Sequence, residues 1–152
     1  MFVFGFIFGI ALTLIVAMLV LPKQMFLVDE SKFSFDETVE QIEKSVTENK
    51  WSMPNQYDLQ ATMKKHGFDV QPVKVFSICK PSIANEILGG NDERYVSALM
   101  PCRIAVYEKK DGKIYISRMN GSFIAKILGK KISMVMAEAS AENEIILASV
   151  IK

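Results

Sequence analysis

One histidine, one tryptophan and two cysteines are all that the 152 residues offer of the side chains that most often build catalytic or metal centres. Cys79 and Cys102 lack the C-x-x-C spacing of a structural zinc site or a thioredoxin-like pair, and His66 alone cannot complete a Cys/His ligand set. They permit one disulfide or two thiols, and neither a metal nor a cofactor is expected. The chain also lacks G-x-S-x-G, H-E-x-x-H, a phosphate-cradling glycine loop and a paired acidic cluster, which removes the usual grounds for hydrolase or transferase chemistry. Charge of one sign is missing too: 18 basic residues balance 17 acidic ones, so no field attracts nucleic acid, and no nucleic-acid partner is expected.

The longest uncharged run is at the N-terminus. Met1 to Leu21 carries no charged side chain and ends at Pro22-Lys23, and about 20 apolar residues are what a helix needs to cross a bilayer. A cleaved signal peptide would need a basic start, a shorter apolar run and a small-x-small site, whereas this run ends in Met18, Leu19, Val20 and Leu21. Residues 1–22 therefore read as a single-pass membrane anchor, with the lipid bilayer as partner through residues 1–21. Gly5, Gly9, Thr13 and Ala17 share one face of that helix, as close-packing spans do and as small residues in any span also can. Lys23 and Lys32 follow the span, and the positive-inside rule applied to them puts the rest of the chain in the cytosol.

The remaining residues, about 130, suffice for one domain. Residues 23–33 read as a linker and 34–152 as a single α+β domain. Ser34 and Glu37 make a capping box for a helix to about Thr47, with Phe35, Val39, Ile42 and Val46 on its core stripe. Trp51 and Met53 predict a short strand stopped by Pro54. Asp58 and Gly67 bracket a second helix whose last turn holds Lys64, Lys65 and His66, and His66 is read as a helix-end residue. Val73 to Cys79 predicts a buried strand, and Pro81 starts a short helix that Gly89-Gly90 ends.

Chemistry, if present, concentrates between Pro72 and Asn120. Cys79 precedes a helix N-terminus, where unpaired amides lower a thiol's pKa and attract anions, although a buried inert cysteine is the commoner outcome. An Asp111-Gly112 two-residue turn pairs Lys110 with Lys113, Val106 with Ser117 and Ile104 with Met119. That register puts Cys102, Ile104, Val106 and Met119 on the core face, and Arg103, Tyr107 and Arg118 together on the other, as a basic and aromatic patch for a carboxylate or phosphate. A slip of one residue would undo it. From Ser122 the pattern is helical, interrupted at Gly129-Lys130-Lys131, and Ser140 is expected to cap a last helix from Glu144 to Val150. Met119, Met134 and Met136 read as gap-fillers in a core. The element order predicts a two-layer α+β sandwich, a mostly antiparallel sheet with helices on one face.

Pro72-Val73-Lys74-Val75-Phe76, Cys79-x-Pro81, Met100 to Glu108 (MPCRIAVYE), Asp111-Gly112-Lys113 and Ser117 to Asn120 resemble the family called domain of unknown function 302, DUF302, and the resemblance reaches back through Asp58 to Thr62. It implies a TATA-binding-protein-like two-layer sandwich in bacterial and archaeal proteins, often a homodimer, sometimes secreted or membrane-attached, with a lean to the periplasmic side. It implies no activity. Where the family has a histidine after the cysteine this chain has Lys80, which weakens any Cys-His site. The candidate ligand-binding residues are thus Cys79, Lys80, Cys102, Arg103, Tyr107 and Arg118. The expected function is a non-enzymatic binding or self-association module for a small anionic ligand or a partner protein; the alternative is a thiol-based redox or metal-responsive protein using Cys79 and Cys102.

Overall fold

Period-two alternation of β-branched residues in the middle of the chain and period-3.6 stripes around it build one sheet with helices on one side. The computed structural model describes residues 2–152, with side chains from Ile7 onward, so Gly5 of the small-residue stripe lies outside the described side chains. The elements run α1 (Phe2–Gln24), β1 (Phe26–Glu30), α2 (Phe35–Glu48), β2 (Ser52–Asp58), α3 (Leu59–Lys65), β3 (Val73–Cys79) and α4 (Pro81–Leu88). After a 3-10 segment at Asp92–Leu99 come β4 (Cys102–Glu108), β5 (Ile114–Met119), the short α5 (Gly121–Ile124) and α6 (Lys130–Leu147). The strand order is β1-β5-β4-β3-β2, and every neighbouring pair is antiparallel.

The core lies between the sheet and its helices. Phe76, Ile78, Ile104, Val106 and Ile116 project from the strands toward Val39, Ile42 and Val46 of α2, Ile83 and Ile87 of α4, and Ile132, Val135, Ile146 and Leu147 of α6. This is the two-layer α+β architecture that the element order predicts. At the start of α2 the Glu37 carboxylate accepts from both the backbone N–H and the hydroxyl of Ser34, at 3.1 and 2.6 Å. The far face of the sheet is more open: Phe26, Val28 and Tyr57 are exposed there, and Tyr107 stacks on Tyr115 with ring centroids 5.8 Å apart.

Four local expectations are corrected. The segment read as a linker contains β1, an edge strand paired to β5 from Phe26↔Met119 to Glu30↔Tyr115. Its mixed character is that of a strand with one half-buried face and a charged partner, since Asp29 binds Arg118. Pro54 does not stop β2, which continues to Asp58 through a register irregularity between Ser52 and Asn55; an edge strand tolerates the missing N–H. Ser140 caps nothing, because α6 is continuous from Lys130 to Leu147 and encloses it.

The fourth correction moves a candidate site residue. The Lys109 N–H bonds to the Lys113 carbonyl and the Gly112 N–H to the Lys109 carbonyl, so three residues form the hairpin loop, with Gly112 at φ 76°. A three-residue loop ending in a left-handed glycine competes with the two-residue type I′ turn for the same sequence. The register becomes Ile104↔Arg118, Val106↔Ile116 and Tyr107↔Tyr115. The one-residue slip turns Arg118 from the open face to the core side, where it is 5% exposed.

α1 is apolar over Ile7–Gln24, with a mean hydropathy of 2.0 and no burial against the domain, long and apolar enough for a membrane span or a signal sequence. Only Met25 separates it from β1.

Candidate functional site

The end of the sheet bearing Cys79 and Cys102 is built by register. β3 pairs with β4 through Ile78↔Cys102, so Cys79 is one residue beyond the residue facing Cys102, and Ser52 of β2 pairs with Cys79. The cis Met100–Pro101 peptide leads into β4. α6 crosses this end, and its Met136, Ser140 and Asn143 share one face by their spacing. Bare backbone at Gly121 lets α5 approach closely, since a Cβ there would lie 2.6 Å from Ser140 Oγ.

These elements enclose a cavity of about 70 Å³ lined mainly by apolar side chains, among them Trp51, Ile78, Ile83, Val96, Met100 and Met136, with Cys79, Cys102, Ser140 and Asn143 in its wall. That is less than half the roughly 150 Å³ of an engineered cavity that takes benzene, so it holds the end of a molecule rather than a whole one. Asn143 is 8% exposed and its Oδ1 has no hydrogen-bond partner. A buried acceptor left unsatisfied costs about 1–3 kcal/mol, and this one is closed off from the cavity as well as from water.

Two of the three cations that line the cavity are already committed. Lys80 Nζ donates to both oxygens of Glu142 at 2.7 and 2.6 Å, and Trp51 Nε1–H donates to the same carboxylate at 2.7 Å. Lys80, with Trp51 in support, holds the Glu142 carboxyl below the usual carboxylate range. Arg118 donates to Asp29 Oδ2 at 2.5 Å and to Glu144 at 2.8 and 2.5 Å. Burial alone would lower the Arg118 pKa, but those two carboxylates outweigh it and raise it. Arg103 points to the open face, 5.9 Å from the Tyr57 ring centre.

Of the six residues singled out in the sequence, Cys79, Lys80, Cys102, Arg103 and Arg118 border this one cavity and Tyr107 does not. The basic patch of Arg103, Tyr107 and Arg118 does not form, because the register slip separates Arg118 from the other two. Asn143, Ser140 and Gly121 escaped sequence reasoning. The i, i+4, i+7 spacing of Met136, Ser140 and Asn143 was the available signal, hidden by reading Ser140 as a cap.

Both cysteines are free. Burial pushes the Cys79 thiol up, so the α4 N-terminus next to it does not produce a thiolate. Burial also raises Cys102, and although the Asn143 side chain draws it partly back, nearby Cys79 adds to the rise. Alkylation by iodoacetamide, followed at each cysteine against pH, is therefore expected to reach half its limiting rate above the ordinary thiol range at both sites. Half-maximal alkylation near neutral pH at Cys79 would contradict the neutral cavity. Among the described residues no three His, Cys, Asp or Glu side chains group as metal ligands.

The model of the family described as domain of unknown function DUF302 matches residues 28–150. The chain belongs to the DUF302 family. A solved structure, that of the uncharacterized conserved DUF302 protein from Bacillus stearothermophilus, superimposes with a TM-score of 0.74 at 18% identity, covering 82% of this chain and 97% of that one. At that identity the likeness speaks for the fold, which this DUF302 domain shares from β1 onward. No curated protein matches the sequence.

Proposed function

We propose that this DUF302 protein is a membrane-tethered, non-enzymatic binding module whose cavity takes the end of an uncharged, largely apolar ligand. The observation that carries the reading is a mainly apolar cavity wall in which Lys80 and Arg118 are each paired to carboxylates. An anionic ligand, the expectation from sequence, gives way to an uncharged one because Lys80 and Arg118 are neutralised by Glu142, Asp29 and Glu144. A carboxylate entering beside those two would lose its hydration without gaining a free cation, while Arg103, the lining cation with no carboxylate partner, points to the open face.

The tether is α1, and the family resemblance favours the periplasmic side for the domain, against the two lysines that follow the span. Self-association would use the open sheet face around Val28, Tyr57 and the Tyr107–Tyr115 stack. The second reading, a thiol redox protein, is favoured by one observation, that Cys79 and Cys102 border the same cavity; the raised pKa of both thiols counts against it.

Matched six-carbon probes on the full chain in detergent test the reading. 1-Hexanol is expected to raise Tm saturably with a Kd on the order of 1 mM, about 0.6 kcal/mol per heavy atom. Hexanoate is expected to bind at least tenfold more weakly, and Ala139→Phe, which fills the cavity, to abolish hexanol binding. Hexanoate binding more tightly than hexanol would restore the anion site and overturn the uncharged one.

A further inference from the structure

α6 reaches beyond the sheet that it covers. Just past its C-terminus the chain is tied to the end of β1 remote from α1, where the Lys32 N–H bonds to the Val150 carbonyl and the Lys152 N–H to the Glu30 carbonyl. At the opposite end of the sheet the Asn120 N–H bonds to the carbonyl of Met25, the single residue between α1 and β1. Gly121 follows directly and lies against Met136 and Ser140 of α6. Those two residues are therefore level with the sheet end from which α1 leaves. Lys130, the first residue of α6, precedes them by six and ten positions, about 9–15 Å at 1.5 Å per residue. The start of α6 and the 3-10 turn before it (Ala125–Ile127) thus project past the sheet on the side of α1.

The projection carries cations and bare apolar side chains. From Asn120 to Met134 the sequence reads NGSFIAKILGKKISM, with three lysines and no acidic residue. Ile127 is 86% exposed and Met134 is exposed as well, so neither is used by the core. The acidic groups that face this segment come from α4 and the 3-10 segment after it: Glu93 binds Lys131 at 3.0 Å, and Glu86 borders a shallow hollow with Lys130, Lys131 and Met134. Among the described residues neither Lys126 nor Lys130 is in an ion pair. An isoleucine held in water between free lysines has the composition of a segment that lies in a lipid headgroup layer.

We infer that the projection bearing Lys126, Ile127 and Lys130 docks on the surface of the bilayer that holds α1, with Ile127 among the headgroups and the lysines against the phosphates of anionic phospholipid. The inference rests on the tether of the proposed function and is independent of its cavity. Reach supports it. Met25 alone joins Gln24 to Phe26, about 7 Å of chain, so the sheet end stands no farther than that from the end of α1, and a projection of 9–15 Å closes the gap. A single tether leaves the domain free to swivel about Met25. The second contact fixes it, with the sheet end carrying Cys79 and Cys102 toward the membrane.

Tryptophan placed on the projection reports the contact. Ile127→Trp is made in the full chain with Trp51→Phe, and Ile145→Trp, an exposed position in the last turn of α6 at the remote end, serves as the control. Both are reconstituted in vesicles of phosphatidylcholine and phosphatidylglycerol that contain brominated phosphatidylcholine. Quenching at position 127 is expected to exceed that at 145 by at least about threefold. Replacing Lys126 and Lys130 by glutamine should lower the docking equilibrium about 25-fold, roughly fivefold for each charge near an anionic surface. Tenfold dilution of the chain in lipid should change nothing. Should the tryptophan variants misfold, amide exchange of the wild-type chain gives the same reading, with the amides from Lys126 to Lys131 slower in the anionic vesicles than in phosphatidylcholine alone.

Equal quenching at 127 and 145 in vesicles that carry the chain, or equal exchange in the two lipids, would overturn the docking and leave the tether in place. Quenching or protection that disappears on dilution would give the surface to a second copy of the chain and overturn the lipid contact. A chain that fails to float with the vesicles would overturn the tether itself.

Discussion

Ile78→Ala is expected to lower folding stability by about 3–4 kcal/mol and, at the same time, to tighten the binding of 1-hexanol. Ile78 is fully buried and lies in the cavity wall one residue before Cys79. Truncation removes three carbons from the core, and the space cannot collapse, because the sheet holds Ile78 opposite Cys102 while α4 and α6 stand on the other side. The lost volume adds to the cavity, so more of the hexanol chain enters it. Urea denaturation with and without hexanol measures both effects: the variant should be less stable alone and should gain more from the alcohol than the wild type. A destabilised variant with unchanged hexanol affinity would mean that the alcohol binds elsewhere.

Arg118→Leu is expected to cost about 3 kcal/mol, the low end of what breaking a buried ion pair costs. The low end applies because the carboxylates reach solvent, with Asp29 and Glu144 side chains 37% and 42% exposed against 5% for Arg118. Arg118 holds edge strand β1 and helix α6 to β5, so the loss should appear first as faster amide exchange in β1. Replacing the whole triad, Asp29→Val with Arg118→Leu and Glu144→Leu, is expected to return most of the stability, as apolar replacements of buried ion networks commonly do. A single variant within 1 kcal/mol of wild type would show that the triad contributes no net stability.

The legible parts of this fold were those with strong local chemistry. Val73–Cys79 and Pro81–Leu88 are found at their expected bounds, because a buried β-branched run and a proline at the first helical position leave few alternatives. The site was legible as a region and not as an arrangement. Cys79 and Cys102 were each placed on a strand without a register to join them, and the Asp111-Gly112 turn admitted two loop lengths, so that one residue of difference moved Arg118 from an open patch to a buried triad. Asn143 was illegible for another reason. Its meaning comes from a missing partner, and only the packed structure shows what a side chain fails to touch.

The most direct test of the cavity's role is a methionine-methyl NMR titration of the full chain with 1-hexanol. Met100, Met119 and Met136 line the cavity, whereas Met53, Met63 and Met134 lie outside it. Saturable shifts are expected at the first three, with Met53, Met63 and Met134 unmoved and Ala139→Phe, which fills the cavity, suppressing the response. Shifts at Met63 or Met134 in place of the cavity methyls, or saturation with no methyl shift at Met136, would contradict it.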